Sequence, residues 1–471
     1  MPGQRAGAHA AIGYSTGKAR TEPFLLSVPT RQPDRSLHHM YPQAQPLVRS
    51  IAESNSLWDR AARVIPGGTQ TLSKAPSQYV DGVSPKFLAR GKGSHVWDVD
   101  GNEYIDYPMA LGPILLGYDY PPVTAAVIEQ IREGTTFTLM HPKEVELAER
   151  LVEVIPCAER VRFAKNGADA TGGAIRAARA LTGREHVIAT GYHGFHDWYI
   201  ASTERNAGIP RLHRELIHTV AFNDLPALDA ALSENEIAAV IMELPGTEPA
   251  DGYLRAAIDT THRHGAVFVL DEIVTGFRYA RGGAQELYGI RPDLACYGKG
   301  MANGYPLSAV VGSAEAMKAF EEIFFSMTYS GETIALAAAL ATLDVIDSEP
   351  VIEYIWERGE QLRAGLLSLA QQVSFEVTLH GNPPRSALTF GDGSGAPSNE
   401  LRALFLQEAH KHGVLFGVPM FPTYSHSEED ITRTLSVVEA AFERMETAYV
   451  SGDIASQLEG VPPGVVFRSH S

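Results

Sequence analysis

The sequence predicts an α/β fold with a large, mostly parallel sheet and a smaller α+β domain. From about residue 160, short apolar runs alternate with helical periodicity, which is the order that builds a parallel sheet covered on both faces. An Ala- and Leu-rich helix then leads away from the sheet, and the chain up to about Tyr449 mixes strand and helix patterns. The length of 471 residues accommodates two or three domains.

Six apolar runs are strand candidates for the large sheet: residues 161–164, 186–190, 238–244, 266–270, 294–297 and 309–312. Helical periodicity fills several of the intervals, as in residues 174–181 and 254–264, and Gly265 closes the second of these helices. A parallel strand pair needs such a crossover. We therefore expect most strands of this sheet to end at one rim.

The smaller domain is expected to combine the N-terminal segment with the C-terminal part. A helix over residues 56–65, closed by Pro-Gly-Gly, precedes two short strands joined by an Asp-Gly turn at residues 96–107. Helical periodicity also occurs at residues 123–132 and 144–154, which precede the large sheet, and at 334–346, which follows it. The last helix of the chain starts with a capping-box-like Ser427 to Asp430. The predicted organisation is a flexible leader over 1–50, an N-terminal segment over 51–110, a large cofactor-binding domain over 111–335, a C-terminal small domain over 336–450 and a tail over 451–471.

Composition narrows the class of protein. The net charge of -17 argues against nucleic acid or an anionic membrane as a partner, and no apolar run approaches the roughly 20 residues that span a bilayer. Cys157 and Cys296 stand in apolar contexts, which favours buried free thiols and a cytoplasmic location. The leader is rich in Ala, Gly, Ser, Pro and Arg, which is typical of a disordered or partner-bound segment and also resembles a transit peptide.

Two charged residues follow neighbouring apolar runs. Asp271 ends the run from Val267 to Leu270, and Lys299 lies between two glycines after the run from Leu294 to Tyr297. Ligands of open α/β sheets bind beyond the carboxyl ends of strands, so both side chains are expected at one rim. A buried Asp facing a pyridinium nitrogen and a lysine that forms a Schiff base are what pyridoxal phosphate (PLP) chemistry requires. The sequence therefore predicts a PLP site.

Each of these residues also has an ordinary structural interpretation. A random lysine is usually a solvated surface group, but Gly298 and Gly300 remove bulk around Lys299, and partial desolvation would lower its pKa and make it nucleophilic. A carboxylate at Asp271 could instead cap a helix or form a loop salt bridge. Glu272 follows on the opposite side of the strand and is expected to be structural.

Asn166, Gly167 and Ala168 follow another strand and open a helix, where backbone N–H groups and the helix dipole suit a phosphate. Neither GxGxxG after a strand nor GxxxxGK[ST] is present, so a dinucleotide fold or a P-loop is not supported. The turn from Thr328 to Glu332, before the Ala-rich helix, is either a second phosphate contact or a simple helix cap.

The segment after the strand at 186–190 offers aromatic and metal-ligating side chains. Tyr192 could stack on a flat cofactor, and Ile273 could back the other face of its ring, although Ile273 could equally be ordinary core. His193, His196 and Asp197 are possible metal ligands, yet no further Cys/His cluster completes a site, so we expect no metal.

These pieces together resemble the class III, fold-type I PLP-dependent aminotransferases, most closely the glutamate-1-semialdehyde 2,1-aminomutase branch. The resemblance runs from about Leu57 to Met445 and rests on the Asp-Glu-Ile-Val-Thr-Gly-Phe-Arg run, Gly-Gly-Ala-Gln at 282–285, Tyr-Gly-Ile-Arg-Pro-Asp-Leu and Gly-Lys-Gly. It implies a fold-type I PLP transferase that works as a homodimer. By position it implies a Schiff-base lysine at Lys299 and a pyridine-nitrogen partner at Asp271.

The resemblance implies roles for further residues. Tyr192 matches the stacking aromatic, Gly167 and Ala168 match the phosphate-binding turn, and Glu243 matches an acidic residue on the substrate side of the cofactor. Thr328 matches the threonine that reaches the partner subunit's cofactor phosphate.

This chain departs from the family pattern in three segments. The phosphate turn lacks the usual hydroxyls, Leu111 stands where the aminomutase segment carries Trp, and residues 67–72 differ from Gly-Gly-Val-Asn-Ser-Pro. The last two segments line the substrate pocket in that branch, so the departures leave the cofactor chemistry intact and put glutamate semialdehyde in doubt as substrate.

The resulting expectation is a biosynthetic aminotransferase that moves an amino group from an amino-acid donor to an aldehyde or ketone through a Schiff base at Lys299. An intramolecular aminomutase is the alternative, a racemase is a minor one, and a metal hydrolase or a cofactor-binding relic would not need both Lys299 and Asp271. Arg278 and Arg385 are candidates for binding the donor carboxylate, with a salt bridge as the rival interpretation of each.

Overall fold

The computed structural model describes residues 40–41, 50–393, 395–417 and 419–464. The predicted leader therefore lies almost wholly outside the described residues, as does the end of the predicted tail. The described β-strands are β1 (Leu88–Lys92), β2 (His95–Asp98), β3 (Glu103–Asp106), β4 (Arg160–Ala164), β5 (His186–Thr190), β6 (Ile217–Thr219), β7 (Ile237–Glu243), β8 (Val267–Glu272), β9 (Leu294–Tyr297), β10 (Ser308–Gly312), β11 (Glu376–Asn382), β12 (Arg385–Gly391) and β13 (Val414–Leu415).

Helices occupy most of the intervals between strands. The described α-helices are α1 (Ala52–Val64), α2 (Pro121–Glu133), α3 (Pro142–Val154), α4 (Gly167–Thr182), α5 (Asp197–Ile200), α6 (Arg211–Glu215), α7 (Leu225–Glu234), α8 (Tyr253–Arg263), α9 (Ala284–Leu287), α10 (Ala314–Met317), α11 (Thr333–Ser348), α12 (Val351–Ala370), α13 (Asn399–Lys411) and α14 (Glu428–Ser451). Short 3-10 helices cover Pro66–Gly68, Leu72–Lys74, Pro76–Gln78, Met109–Leu111, Lys299–Ala302, Lys318–Glu321 and Ala455–Gln457. No helix in these stretches combines the length and apolarity needed to cross a bilayer.

The large sheet has seven strands in the order β4-β10-β9-β8-β7-β5-β6. The pairs among β9, β8, β7, β5 and β6 are all parallel, which confirms the predicted mostly parallel sheet. Strand β10 runs antiparallel to both β9 and β4. The connection from β9 to β10 spans only residues 298–307, which is too short for the crossover helix that a parallel neighbour requires. Strand β6 was not predicted, because its short sequence carries no apolar run.

Apolar side chains cover both faces of this sheet. One face packs against α8, α11 and part of α3, and the other packs against α4 and the segment around α10. Strand β7 is buried along its whole length, as expected for a central parallel strand with helices on both sides. The middle of the sheet is therefore rigid, and the residues that follow β7, β8 and β9 stand on stiff supports.

The smaller domain is built from both ends of the chain, as predicted. Its four-stranded sheet has the order β1-β2-β3-β13, so a C-terminal strand pairs with the N-terminal hairpin, and β11 and β12 form a separate hairpin. Helices α12, α13 and α14 pack over one apolar core with these strands. The predicted capping box at the start of α14 is present, with the Asp430 amide donating to Ser427 Oγ over 3.1 Å.

Arg278 joins the two domains. Its side chain is only 1% exposed, and its guanidinium donates to four backbone carbonyls at 2.9–3.3 Å, those of Gly112, Ile114, Pro384 and Pro422. Burial lowers the pKa of Arg278 to about 9. One arginine therefore satisfies backbone acceptors from the segment just after the 3-10 helix at Met109–Leu111 and from two loops of the C-terminal part.

Replacing Arg278 with Met should lower the free energy of unfolding by at least about 3 kcal/mol, because several buried carbonyls lose their donor. Urea denaturation of the two proteins measures this difference. Arg281→Met is the matched control. That side chain is 45% exposed and pairs with Asp347, so about 1 kcal/mol or less is expected. Equal losses in the two variants would contradict the role of Arg278 as an interdomain clamp.

Candidate active site

Strand register brings the predicted acidic residues together. Glu243 on β7 pairs with Asp271 on β8, and Asp271 pairs with Cys296 on β9. Tyr192 follows β5 by two residues and Lys299 follows β9 by two residues. The carboxyl ends of four neighbouring parallel strands thus present these side chains at one rim, as the sequence predicted.

Asp271 is paired with a histidine. Its carboxylate is 3% exposed, with Oδ2 lying 2.8 Å from His193 Nδ1 and Oδ1 accepting the Ile273 amide at 3.1 Å. His193 Nε2 lies 3.0 Å from the Thr190 carbonyl, which can only accept, so Nε2 carries a proton. Both ring nitrogens of His193 therefore face oxygen atoms, and Nδ1 holds Oδ2 of the Asp271 carboxylate in place. The histidine fixes the orientation of the carboxylate.

This arrangement changes the interpretation of the histidine segment. Both ring nitrogens of His193 are engaged, and His196 Nε2 lies 3.3 Å from Asp169 Oδ1. Among the described residues no cluster of His, Cys, Asp and Glu could hold a metal ion. From the sequence, His193 was predicted only as a possible metal ligand, and its position beside Asp271 was not predicted. Its position three residues after the end of an apolar strand, next to Tyr192, was the available signal.

Lys299 has a strained backbone conformation and a partly buried side chain. Its φ of 42° is in the left-handed region, which costs a non-glycine residue energy and is concentrated at functional sites. Burial lowers the pKa of Lys299 to about 8, against the opposing attraction of Glu243. A substantial fraction of the amine is therefore neutral near physiological pH, which the glycine-flanked sequence had suggested.

Ile273 lies between the glycine turns that the sequence singled out. Its Cδ1 lies 3.1 Å from the position that a Cβ would take at Gly167, and equally 3.1 Å from that position at Gly298. Gly194 approaches the start of α4 so closely that a Cβ there would be 2.5 Å from Ala168 Cβ. The start of α4 and the Lys299 turn therefore meet at Ile273, and the segment after β5 meets the start of α4 at Ala168.

The start of α4 carries donors for an anion. Asn166 precedes the helix, and its amide donates to Asp169 Oδ2 over 2.8 Å, which fixes the first turn. The amides of Gly167 and Ala168 are the first two of the helix, where no intrahelical acceptor exists. Because the helix dipole also favours negative charge there, this turn can cradle a phosphate.

Glu243 connects Tyr192 with an arginine of the small domain. Glu243 Oε1 lies 3.1 Å from Arg385 Nη2, and Oε2 accepts the Tyr192 amide at 3.0 Å. Burial would raise the pKa of Glu243, but Arg385, the Tyr192 amide and Lys299 together hold it below its usual value. Glu243 therefore stays ionised and holds Arg385 at the rim, whereas Arg278 is committed to backbone carbonyls.

The remaining predicted residues have clear positions. The Tyr192 side chain is 52% exposed at the rim, and Thr328 is exposed on the segment that precedes α11. Glu272 is fully buried, where its carboxylate accepts from the Ala284 and Gln285 amides and from Thr275, as expected for a structural residue.

The residues present fit pyridoxal phosphate. A ring nitrogen needs a fixed carboxylate, the aldehyde needs a neutral lysine amine, the phosphate needs a helix start, and the flat ring needs an apolar wall. Asp271 with its histidine, Lys299, the Gly167–Ala168 amides and Ile273 meet these four requirements around one rim.

The fold and this site define a PLP-dependent enzyme of the fold-type I class. The chain belongs to the class-III aminotransferase family, whose profile, described as aminotransferase class-III, matches residues 79–442. The 3-aminobutyryl-CoA aminotransferase of Cloacimonas acidaminovorans is 34% identical over 402 residues, which cover 82% of this chain and 96% of that protein.

Two further similarities bear on the same point. The glutamate-1-semialdehyde 2,1-aminomutase of Methanothrix thermoacetophila is 34% identical over 418 residues, covering 82% of this chain and 95% of that protein. The solved PLP internal aldimine form of the FumI protein of Sphingopyxis sp. MTA144 is 32% identical, with a TM-score of 0.79 over 84% of this chain and 97% of that one. Relatives of similar identity thus include both transfer and mutase enzymes.

Proposed function

We propose that this protein transfers an amino group from an amino-acid donor to an aldehyde or ketone acceptor, with Lys299 and Asp271 as catalytic residues. The observation that carries the proposal is a lysine with a lowered pKa at the same rim as a carboxylate fixed by His193. When bound, the cofactor supplies an electron sink that stabilises negative charge at the substrate carbon.

Each residue has one task in this proposal. Lys299 attaches the cofactor and then moves a proton at the substrate carbon that bears the amino group. Asp271, oriented by His193, keeps a proton on the pyridine nitrogen. Tyr192 and Ile273 would hold the cofactor ring between them, the turn formed by Asn166, Gly167 and Ala168 would bind its phosphate, and Glu243 would lie on the substrate side.

The rate at which the apo protein takes up cofactor should report the pKa of Lys299. The neutral amine is the nucleophile, and its fraction rises about tenfold per pH unit below the pKa. We expect the rate to rise with pH up to about 8 and then to level off, whereas an ordinary lysine, with a pKa of 10.5, would continue to gain. Visible absorbance measures the rate, and a blocked lysine in solution is the control. A midpoint near that of the control would contradict a desolvated Lys299.

Arg385 is the candidate that binds the donor carboxylate. The guanidinium of Arg278 is already hydrogen-bonded to four backbone carbonyls, so it is not available to a substrate. Arg385 lies beside Glu243 at the rim. Arg385→Gln should raise KM for a carboxylate-bearing donor by about 10- to 100-fold, the loss of a charge-assisted pair. The KM of a simple alkylamine should change little. An equal rise for both amines would indicate a structural role instead.

The aminomutase alternative rests on the relatives that carry that name and on their extensive similarity. Transfer is favoured because Leu111 and residues 67–72 depart from the aminomutase pattern in the segments that line its substrate pocket. An amino donor labelled with ¹⁵N distinguishes the two reactions. Label that appears in an acceptor with a different carbon skeleton supports transfer, and label that is found only in the donor and its isomer supports the mutase.

We infer a homodimer from an exposed apolar surface. Leu139, Met140 and Phe324 are 80% or more exposed, and the loop before α11 approaches the start of α3, since a Cβ at Gly331 would lie 2.6 Å from Glu144 Oε1. Exposed large apolar side chains of this kind favour a protein interface. Thr328 is exposed on the segment before α11, from which we expect it to reach the partner subunit's cofactor phosphate.

Light scattering of the holoenzyme tests the homodimer directly. A Met140→Lys, Phe324→Lys double variant should shift the protein from two subunits to one, and Lys318→Glu, on the solvated surface, should not. A wild-type monomer would overturn the inference.

We also propose that the enzyme is cytoplasmic and biosynthetic. The two buried free cysteines support a reducing compartment.

A further inference from the structure

A cavity of about 260 Å³ lies along helix α4, separate from the catalytic rim described above. None of the side chains that we assign to the cofactor lines it. One side is a face of α4 that carries Arg176 and Arg179, and the other side is the segment around α5 and α6. Side chains that line it include Arg176, Arg179, His196, Asp197, Trp198 and His213. The volume is large enough for a phosphate or a small carboxylate.

Two guanidinium groups in this cavity keep most of their donors available. Arg176 Nη1 donates to the Phe324 carbonyl at 2.6 Å, and Arg179 Nε donates to the Glu185 carbonyl at 2.8 Å. Neither makes an ion pair with a carboxylate of the described residues. Burial lowers the pKa of Arg179, so its charge is incompletely hydrated. Planar guanidinium groups with free N–H bonds are suited to oxyanions.

Trp198 adds a buried donor with no acceptor. The side chain is 8% exposed, and its Nε1 has no hydrogen-bond partner in the part of the chain that the structure describes. An indole N–H can only donate, and leaving it unpaired costs free energy. A Cβ at Gly172 would lie 3.6 Å from that nitrogen and 2.7 Å from His196 Nδ1. The glycine thus keeps open the space in front of both nitrogens.

Acidic groups near the cavity do not cancel its positive character. Asp197 lines it, Asp169 is held by His196, and Glu185 attracts Arg179 from the end of α4. The same cavity is lined by two permanently charged arginines, two histidines and one unpaired indole N–H. Such a concentration of donors is unexpected in a chain with a net charge of -17.

We propose that this cavity is a second ligand site, which binds the oxyanion group of a small metabolite, either a phosphate or a carboxylate. The guanidinium groups of Arg176 and Arg179 neutralise the charge, and Trp198 Nε1 donates one hydrogen bond. The proposal does not depend on which amino acceptor the catalytic site uses. It assigns to helix α4 a ligand on its outer face in addition to the phosphate proposed for its N-terminus.

Calorimetric titration of the holoenzyme at constant ionic strength tests the site, with inorganic phosphate and citrate as separate probes. In the holoenzyme the cofactor's own phosphate already occupies its cradle. We expect one saturable event per subunit. Binding of phosphate alone would identify a phosphate site, binding of citrate alone a carboxylate site, and binding of both a general oxyanion site. Arg176→Gln combined with Arg179→Gln should weaken binding by at least about tenfold. Trp198→Phe should also weaken binding, but by less than the double variant does.

Arg263→Gln is the matched control, because that arginine is 64% exposed on α8 and should leave the titration unchanged. Both arginines of the cavity lie on the solvent side of α4, so the double variant is expected to fold, which its turnover without added anion verifies. Saturable binding that the double variant retains in full would overturn the proposal, and so would the absence of saturable binding of either probe at millimolar concentration.

Discussion

Replacing Lys299 with alanine is expected to lower kcat by at least about 10⁴-fold while the protein stays folded. The glycines on either side leave no second amine in the turn, and Lys165, which follows β4, is held by Glu332 at 3.0 Å. Alanine keeps the Cβ and therefore the same left-handed backbone strain, while the substitution removes a partly desolvated cation. The unfolding free energy should therefore not fall.

Steady-state turnover, the visible absorbance band and urea denaturation measure these effects in one preparation. Lys318→Ala is the control, because that lysine is exposed on a 3-10 helix outside the rim. An added small amine should partly restore turnover in the Lys299→Ala variant, since it can move the proton that the side chain no longer moves. Wild-type turnover in the variant would remove Lys299 from the mechanism.

Replacing Asp271 with asparagine is expected to lower kcat by about 10³-fold, with the cofactor still attached through Lys299. An amide cannot stabilise a proton on the pyridine nitrogen, so the ring loses its power to accept electrons. The substitution also leaves His193 Nδ1 without its carboxylate, 2.8 Å away. The effect should appear in kcat more than in KM, because substrate contacts are unchanged.

Asp259→Asn is the matched control, since that carboxylate is exposed on α8. The visible spectrum of the Asp271→Asn protein should show bound cofactor with a band shifted by the loss of ring charge. Retention of the wild-type kcat, with the cofactor bound, would contradict the proposed role of Asp271.

The rim of the sheet could be predicted from sequence because parallel strands leave little freedom. Once Asp271 and Lys299 followed apolar runs separated by a crossover, their strand ends had to meet at the same edge. The antiparallel direction of β10 was not predicted, although the predicted strands at 294–297 and 309–312 leave too few residues between them for a crossover helix.

The hydrogen-bond and ion-pair partners of individual side chains were harder to predict from the sequence. Arg278 and Arg385 were equivalent candidates in the sequence, and they separated only when four carbonyls were found around the first and Glu243 beside the second. The turn from Met109 to Gly112, with four consecutive left-handed residues, was also missed. Of its residues only Gly112 favours that conformation. Tertiary contacts, including the clamp by Arg278, hold such a turn in place.

The most direct test of the central claim is the absorbance spectrum of the purified holoenzyme during addition of single amino donors and then of carbonyl acceptors. Amino transfer predicts a visible band that bleaches stably with at least one donor and returns when an aldehyde or ketone is added. A band that no donor bleaches stably would contradict transfer and favour the intramolecular aminomutase. Failure to form any band after reconstitution with pyridoxal phosphate would contradict the proposed site itself.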